Sequence, residues 1–364
     1  MCPRFDSWWH HREPHQAPFF MHVSTIFSES FNVRLRDVLD YNKGEGPFVL
    51  IDQKVRALHG DLCSIEYARS FYSIEGGETV KCLEGLEGVA SWLVRERAER
   101  AATLLVIGGG SLLDLGGFVA AAFKRGLRLV FVPTTLLAMV DAAVGGKNAI
   151  NVGGAKNMLG TFYQPDAILT DEKFLLTLPT AEIKSGLTEM LKHAFISGGN
   201  HWVDFCSQTS VNLIPSARLI EESAGIKAKI SFQDERELSL RKVLNFGHTV
   251  GHALESFCLA KGIATTHGEC VAAGMMVEIK VSERMGITPP ALSAIFLQAL
   301  QSMNLLPSFK WPEFNSLVTY MANDKKIHNQ HFFIPCFSDL GSFVIANVGG
   351  VESFRTSYDA CCVS

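Results

Sequence analysis

In the segment LRKVLNFGHTVGHALES, residues 240–256, Arg241, Asn245, His248 and His252 recur at spacings of four, three and four. On one continuous helix this spacing puts all four on a single stripe. A guanidinium, an amide and two imidazoles have no packing reason to share a stripe; they suit an anionic ligand, a metal ion, or both. Gly247 and Gly251 fall inside the same segment. Each costs about 1 kcal/mol relative to alanine in a helix interior, so close approach of another group is the natural compensation.

Two other segments carry groups that can complete a metal site. In TAEIKSGLTEMLKHAFI, residues 180–196, Ile183, Leu187, Leu191 and Phe195 recur every fourth position. This predicts a helix with a buried stripe, Thr180 as its N-cap and Gly198-Gly199 as its stop. Ser185, Glu189, Lys192 and His193 fall on another face, where Glu189 and Lys192 alone would read as an i,i+3 surface ion pair. The third segment, Thr265-Thr266-His267-Gly268-Glu269, precedes an apolar helix that begins at Cys270. Glu189, His248 and His267 make a His₂Glu set, a common catalytic zinc shell with a position left open for substrate. His248 with His252 is an equally familiar i,i+4 pair, and spacing alone does not choose between them.

A different chemistry is suggested by VIGGGSLLDLGGFVAAAF, residues 106–123: an apolar run, three glycines, and a helix with Asp114 in its first turns. Glycines allow close approach of the backbone to a phosphate, and the helix start supplies free N–H groups. The spacing is not the GxGxxG of dinucleotide sites, so by itself it fits a structural tight turn as well. Gly76-Gly77-Glu78-Thr79-Val80-Lys81 is a second glycine-rich turn with one acid and one base.

The elements that must position these groups divide near residue 178. Before it, Pro47–Ile51 ends at Asp52, Thr103–Ile107 ends at the glycines, and Leu127–Val132 ends at Pro133-Thr134-Thr135. Such continuous apolar runs predict strands buried on both faces of a parallel sheet, where ligands sit beyond the strands' carboxyl ends. From Leu178-Pro179 to about residue 323 helical periodicity dominates. The expected organisation is a head over 1–21, an α/β domain over 22–178 and a helical domain over 179–364.

With a net charge of −4 and no basic block, neither nucleic acid nor a membrane surface is indicated as a partner. Nine cysteines, an odd number without a CxxC, fit a reducing compartment better than a disulfide framework. The first twenty residues hold no apolar run of signal-peptide length, and no stretch approaches the ~18 apolar residues of a membrane span. A cytoplasmic protein is expected.

Taken in order, GGGSLLDLGGF (108–118), KRG (124–126), VPTTLLAMVDAAVGGK (132–147), KNMLGTFYQP (156–165), FLLTLP (174–179), GLTEMLK (186–192), LRKVLNFGHTVGHALE (240–255), HGECVAAGM (267–275) and DKK (324–326) resemble the 3-dehydroquinate synthases, members of the sugar-phosphate cyclase family. The resemblance runs from about Asp52 to Lys326. It implies an N-terminal Rossmann-like α/β NAD-binding domain joined to an all-α C-terminal metal-binding domain, with catalysis between them. It implies NAD contacts at Asp52, Glu78, Lys81, Gly110, Asp114, Thr134, Thr135, Asp141, Lys147, Lys156 and Thr177, and a zinc or cobalt ion on Glu189, His248 and His267. It further implies that His252, Lys147, Asn245 and Lys326 surround a substrate phosphate. Asn157, Lys192, Lys227, Glu237 and Arg241, together with Asp141, match positions that hold the substrate or order the site. Arg125 matches an arginine that reaches a neighbouring subunit, so a homodimer is expected.

The implied reaction converts a seven-carbon keto-acid phosphate to 3-dehydroquinate and phosphate through oxidation by NAD, elimination, reduction and aldol closure. A sister cyclase with another sugar phosphate, or a metal-dependent glycerol-type dehydrogenase, is the alternative. The sequence departs from the family's habit at Asn148, where threonine is usual, at Gly153-Gly154-Ala155 and at Ser197-Gly198-Gly199.

Overall fold

A computed structural model describes residues 22–25, 35, 38, 46–63, 65–153, 155–209, 212–322 and 331–362. The expected N-terminal head and Lys326 lie outside the described residues. The first part is one six-stranded sheet formed by β1 (His22–Thr25), β2 (Phe48–Asp52), β3 (Ser70–Ile74), β4 (Thr103–Gly108), β5 (Arg128–Pro133) and β8 (Ala167–Thr170). Its order is β1-β8-β5-β4-β2-β3, and every pair is parallel.

The apolar runs are strands because both of their faces are covered. Alternate side chains of a strand point to opposite sides. Phe48 and Leu50, Leu104 and Val106, and Leu129 and Phe131 pack with Trp92, Leu93 and Val119. These last belong to the helices α2 (Leu83–Arg95) and α3 (Gly110–Ala122), the short α1 (Gln53–Leu58) having come earlier. Val49 and Ile51, Leu105 and Ile107, and Val130 and Val132 face the other way, into a core shared with Leu187, Leu191, Val250 and Val271 of the helical part. One continuous apolar layer therefore ties the sheet to the helices beyond it.

Between β5 and β8 the chain forms a π-helical turn over Ala138–Ala142 and an antiparallel hairpin, β6 (Lys147–Val152) with β7 (Ala155–Phe162). The helical region comprises α4 (Thr180–Ser197), α5 (Gly199–Thr209), α6 (Ala217–Gln233), α7 (His248–Lys261), α8 (His267–Arg284), α9 (Pro290–Ser302) and α10 (Phe314–Ala322). It also carries a second antiparallel hairpin, β9 (Phe332–Asp339) with β10 (Ser342–Gly349), and ends in α11 (Arg355–Cys362). No helix among the described residues is long and apolar enough to cross a membrane.

Three expectations from spacing are corrected, the smallest being that Thr180 is the first residue of α4 and not its cap, a place taken by Pro179 without a side-chain hydrogen bond. Residues 240–256 are not one helix: a 3₁₀ turn covers Leu240–Asn245, and α7 starts only at His248. Gly247, at φ +81°, is left-handed, and a Cβ there would lie 2.3 Å from Met275 Cγ and 2.7 Å from the Val271 carbonyl. It marks a break with α8 pressed against it, where the sequence suggested a helix interior. The last correction also concerns α4, which is buried on nearly every side from Ile183 to Ile196. Glu189 and Lys192 are an interior pair, because the sheet's core and the other helices enclose both faces of α4.

A candidate metal and anion centre

Small residues let three helices meet closely enough for their functional side chains to converge. A Cβ on Gly268, the second residue of α8, would sit 2.3 Å from Ser185 Cα on α4, and the Gly268 N–H donates to Ser185 Oγ at 2.9 Å. A Cβ on Gly274 would lie 1.8 Å from the Gly247 carbonyl, and one on Gly251 3.0 Å from that of Cys270, so α7 and α8 touch backbone to backbone. The partner that compensates Gly251 is thus a neighbouring helix. Thr266 and Glu269 close a capping box that fixes the start of α8 at His267.

Glu189 comes from the middle of α4, whereas His248 and His267 are the first residues of their helices. The Glu189 Oε1 atom lies 3.4 Å from His248 Nε2 and 3.5 Å from His267 Nε2. One ligand atom from each residue lies within 4.8 Å of the others, the spacing of a shared ion. Glu189 is 0% exposed and neither of its oxygens accepts a well-formed hydrogen bond, although the Lys192 ammonium lies against Oε2. A buried carboxylate needs cations around it; Lys192 serves Oε2, and Oε1 faces the two imidazoles. The far ring nitrogens are held from behind, His248 Nδ1 by the Phe246 carbonyl at 3.1 Å and His267 Nδ1 by Glu255 at 3.5 Å. Such outer contacts orient ligating imidazoles.

The electrostatics agree. Burial alone would lower His267, but the hydrogen bonds and charges of Glu189 and Glu255 outweigh it and raise it to about 10. Burial likewise opposes ionisation of Glu189, yet Lys192 and His267 hold it below the usual carboxylate range. The pairing of His248 with His252 left open by spacing does not appear as a metal group among the described residues, although their rings are 5.1 Å apart; His252 instead joins Glu255 and His267 in a second, less buried group.

A cationic layer adjoins this group. Lys192 donates to the Leu244 carbonyl at 2.8 Å. On α6, Lys227 pairs with Asp141 at 2.7 Å, and Arg241 donates to the carbonyls of Gly145 at 2.9 Å and Glu235 at 2.8 Å. Burial alone would raise Asp141, but Lys227, Lys192 and His193 hold it below the ordinary range. Burial depresses Lys227 and Arg241. Glu237, on a turn at φ +58°, is gripped by Lys147 Nζ and Asn245 Nδ2. Asn157, also at positive φ, donates its N–H to Asn151 at 2.9 Å, and Lys156 pairs with Glu255 at 3.1 Å.

Of the residues expected to hold NAD, Asp52 and Gly110 lie at or just beyond the sheet's carboxyl edge, where β2, β4 and β5 end at Asp52, Gly108 and Pro133, whereas Lys147 and Lys156 lie on the β6–β7 hairpin. Gly109 caps α3 without a side chain, so the first N–H groups of that helix remain open to an anion. A Cβ on Gly110 would stand 3.0 Å from Ala142 Cβ. Glu78 accepts from Ser111 and Asn151, each at 2.8 Å, and Lys81 pairs with Asp114 at 2.5 Å. Burial raises Asp114 to about 6 despite that lysine. Thr134 Oγ1 is buried without a hydrogen bond, and Thr135 Oγ1 accepts from the Ala138 N–H at 3.1 Å. Thr177 is bonded to His59 at 2.6 Å.

Arg125 is not brought together with these groups. It is exposed, in the turn that leaves α3 and leads into the start of β5, at the opposite edge of the sheet. Three residues left without a role by sequence reasoning are used by the fold here. His193 is buried, bonded to Ser223 at 2.9 Å and facing Asp141 at 3.8 Å, and burial lowers it to about 3. Asn148, one of the unusual residues, is buried and donates to the Gly146 and Tyr163 carbonyls at 3.1 and 2.9 Å, pinning the hairpin that carries Lys147. The third is Glu278 on α8, in a helix whose apolar neighbours give no hint of a buried acid.

Comparison with known proteins gives a consistent result. Sequence profiles of the 3-dehydroquinate synthase N-terminal and C-terminal families match residues 71–185 and 186–327. The chain is 38% identical over 287 residues to a 3-dehydroquinate synthase of Pyrobaculum neutrophilum, covering 77% of this chain and 82% of that one. Against the Parabacteroides distasonis enzyme of the same name it is 35% identical over 308 residues, 83% and 87% of the two chains. Among solved structures, a 2-deoxy-scyllo-inosose synthase with carbaglucose-6-phosphate, NAD+ and Co2+ superposes with a TM-score of 0.82 at 21% identity, over 93% and 98% of the two chains. A 2-epi-5-epi-valiolone synthase from Streptomyces hygroscopicus with NAD+ and Zn2+ gives 0.84 at 22% identity, over 97% and 99%. These last two speak for the fold.

Proposed function

Because the chain belongs to the 3-dehydroquinate synthase family, we propose that it converts 3-deoxy-D-arabino-heptulosonate 7-phosphate to 3-dehydroquinate and inorganic phosphate, a carbon–oxygen lyase step of aromatic amino-acid biosynthesis. The observation that carries this reading is the buried Glu189 carboxylate, paired with Lys192 through Oε2 and faced at Oε1 by two imidazoles. Glu189, His248 and His267 would hold one zinc or cobalt ion, and the residues of the sheet edge would hold NAD. When bound, these two groups supply reversible hydride acceptance and polarisation of the substrate's hydroxyls.

The remaining work falls to the chain's own side chains. Lys147, Asn245 and His252, joined by Lys326, suit a phosphate through charge-assisted hydrogen bonds. Glu237 holds the first two together until the phosphate arrives. Lys192, Lys227 and Arg241 are anchored by backbone carbonyls, so they present fixed positive charge to a carboxylate and to ring hydroxyls. Asp141, kept ionised by the cations around it, is placed to accept a hydroxyl hydrogen bond. Arg125 extends from the far edge of the sheet, which suits a role in a neighbouring subunit's site and a homodimer. Free cysteines suit a reducing compartment such as the cytoplasm.

The test mixes the protein with the seven-carbon keto-acid phosphate, NAD and zinc. Phosphate and dehydroquinate are expected in equal amounts without net NADH. Stoichiometric NADH would mean a dehydrogenase of the glycerol type. Phosphate release from a sugar phosphate lacking the carboxylate, with none from this substrate, would mean a sister cyclase.

A further inference from the structure

The start of α7 is capped by a side chain from a different helix. Gly247 stands at the N-cap position and has no side chain to offer. Glu278, in the fourth turn of α8 and 0% exposed, supplies the missing acceptors: Oε2 accepts from the Gly247 N–H at 2.8 Å and Oε1 from the Thr249 N–H at 3.0 Å. The two bonds fall on the residues immediately before and after His248. A carboxylate there meets both the orphan N–H groups and the positive end of the helix.

The same bracket governs the imidazole. The His248 ring leans by Nδ1 on the Phe246 carbonyl, and its Nε2 faces Glu189. The placement of that carbonyl depends on the left-handed Gly247, which Glu278 ties down from the other side. Phe246 itself is locked among Phe195, Phe296 and Phe337, with ring centroids 4.9–6.0 Å away. The imidazole's aim is thus set by a backbone clasped at two points, with little freedom to search for a ligand.

We infer that Glu278 is a positioning residue of the metal centre, presetting His248 as a ligand by clasping the N–H groups on both sides of it. The inference rests on the metal reading above and goes beyond it, since Glu278 is not among the residues that would hold the ion or the substrate. An ordinary structural cap would affect the stability of α7 and leave ligation unchanged. A positioning residue must also change how the ion is held.

The experiment titrates metal-free wild type, His248→Ala, Glu278→Gln and Glu278→Asp with Co²⁺, following the visible d–d absorption of the bound ion, with a chelator competition for the dissociation constant. Glutamine keeps the shape but offers only one acceptor oxygen; aspartate is too short to span both N–H groups. Each Glu278 variant is expected to bind about 10- to 100-fold more weakly, the range for outer residues that orient ligands, with an altered d–d band and NAD binding unchanged. Wild-type affinity and an unaltered band in either folded variant, whatever its melting temperature, overturn the inference. If wild type binds no cobalt, or His248→Ala binds it as wild type does, the metal reading itself has failed; loss in His248→Ala with no change in the Glu278 variants sinks the positioning role alone.

Discussion

The two halves of the molecule present their candidate binding groups in opposite ways. At the sheet edge the backbone is what is offered: α3 begins without a side-chain cap, and glycines 108–110 let Leu112, Thr135 and Ala142 pack close where a Cβ would sit. In the helical half the side chains are the reagents, and glycines serve to bring helix backbones together behind them. Each half has a lysine–carboxylate pair, and the two behave differently. Burial raises Asp114 beside Lys81 to about 6, whereas Lys192 and His267 hold the more deeply buried Glu189 low. Burial therefore does not by itself decide the charge of an acid; the charges and hydrogen bonds around it share in the outcome.

The contrast can be broken by substitution. Glu189→Gln should abolish metal retention and lower kcat at least about 10³-fold, several kcal/mol of barrier, while NAD still binds; equal loss of NAD binding would mean the halves are not separable. Gly247→Ala forces a side chain into a left-handed position against Met275 and Val271. Strain and overpacking together should cost roughly 2–5 kcal/mol in denaturant unfolding. At the sheet edge Gly110→Ala is milder. It should raise the NAD dissociation constant about tenfold, near 1.4 kcal/mol, and leave metal content unchanged.

The smallest effect concerns pH. Asp114 has a folded-state value of about 6, above its ordinary 3.8. Its contribution to stability is therefore full below about pH 4 and is lost as pH rises through about 6. The melting temperature of wild type relative to Asp114→Asn should fall across that window and then level off. A difference that rises instead would reverse the assignment.

Much of the sheet was legible from sequence because its strands are buried on both faces, which leaves unbroken apolar runs such as Phe48–Ile51 and Leu104–Ile107. The hairpin of β6 and β7 was not: its mixed polar and glycine-rich sequence shows no clean alternation, and its exposed strand β7 carries Met158, Leu159 and Phe162 outward. The pairing of β1 with β8 joins segments some 145 residues apart, information that no local pattern contains. Around the candidate site, the residue types of Arg241, Asn245, His248 and His252 announced chemistry, but their geometry was misread. A glycine inside a periodic stretch looks like a costly helix residue until the helix packed against it is known. Glu278 and His193 were missed for a related reason: a polar residue on an apolar helix is taken for a surface group unless every face of that helix is seen to be covered.

The central claim is that Glu189, His248 and His267, and not His252, share one divalent ion. Elemental analysis of zinc-loaded, extensively dialysed protein tests it directly. One equivalent is expected in wild type and in His252→Ala, and essentially none in His248→Ala or His267→Ala. Loss of the ion from His252→Ala, or its retention by either of the other two, would contradict the account.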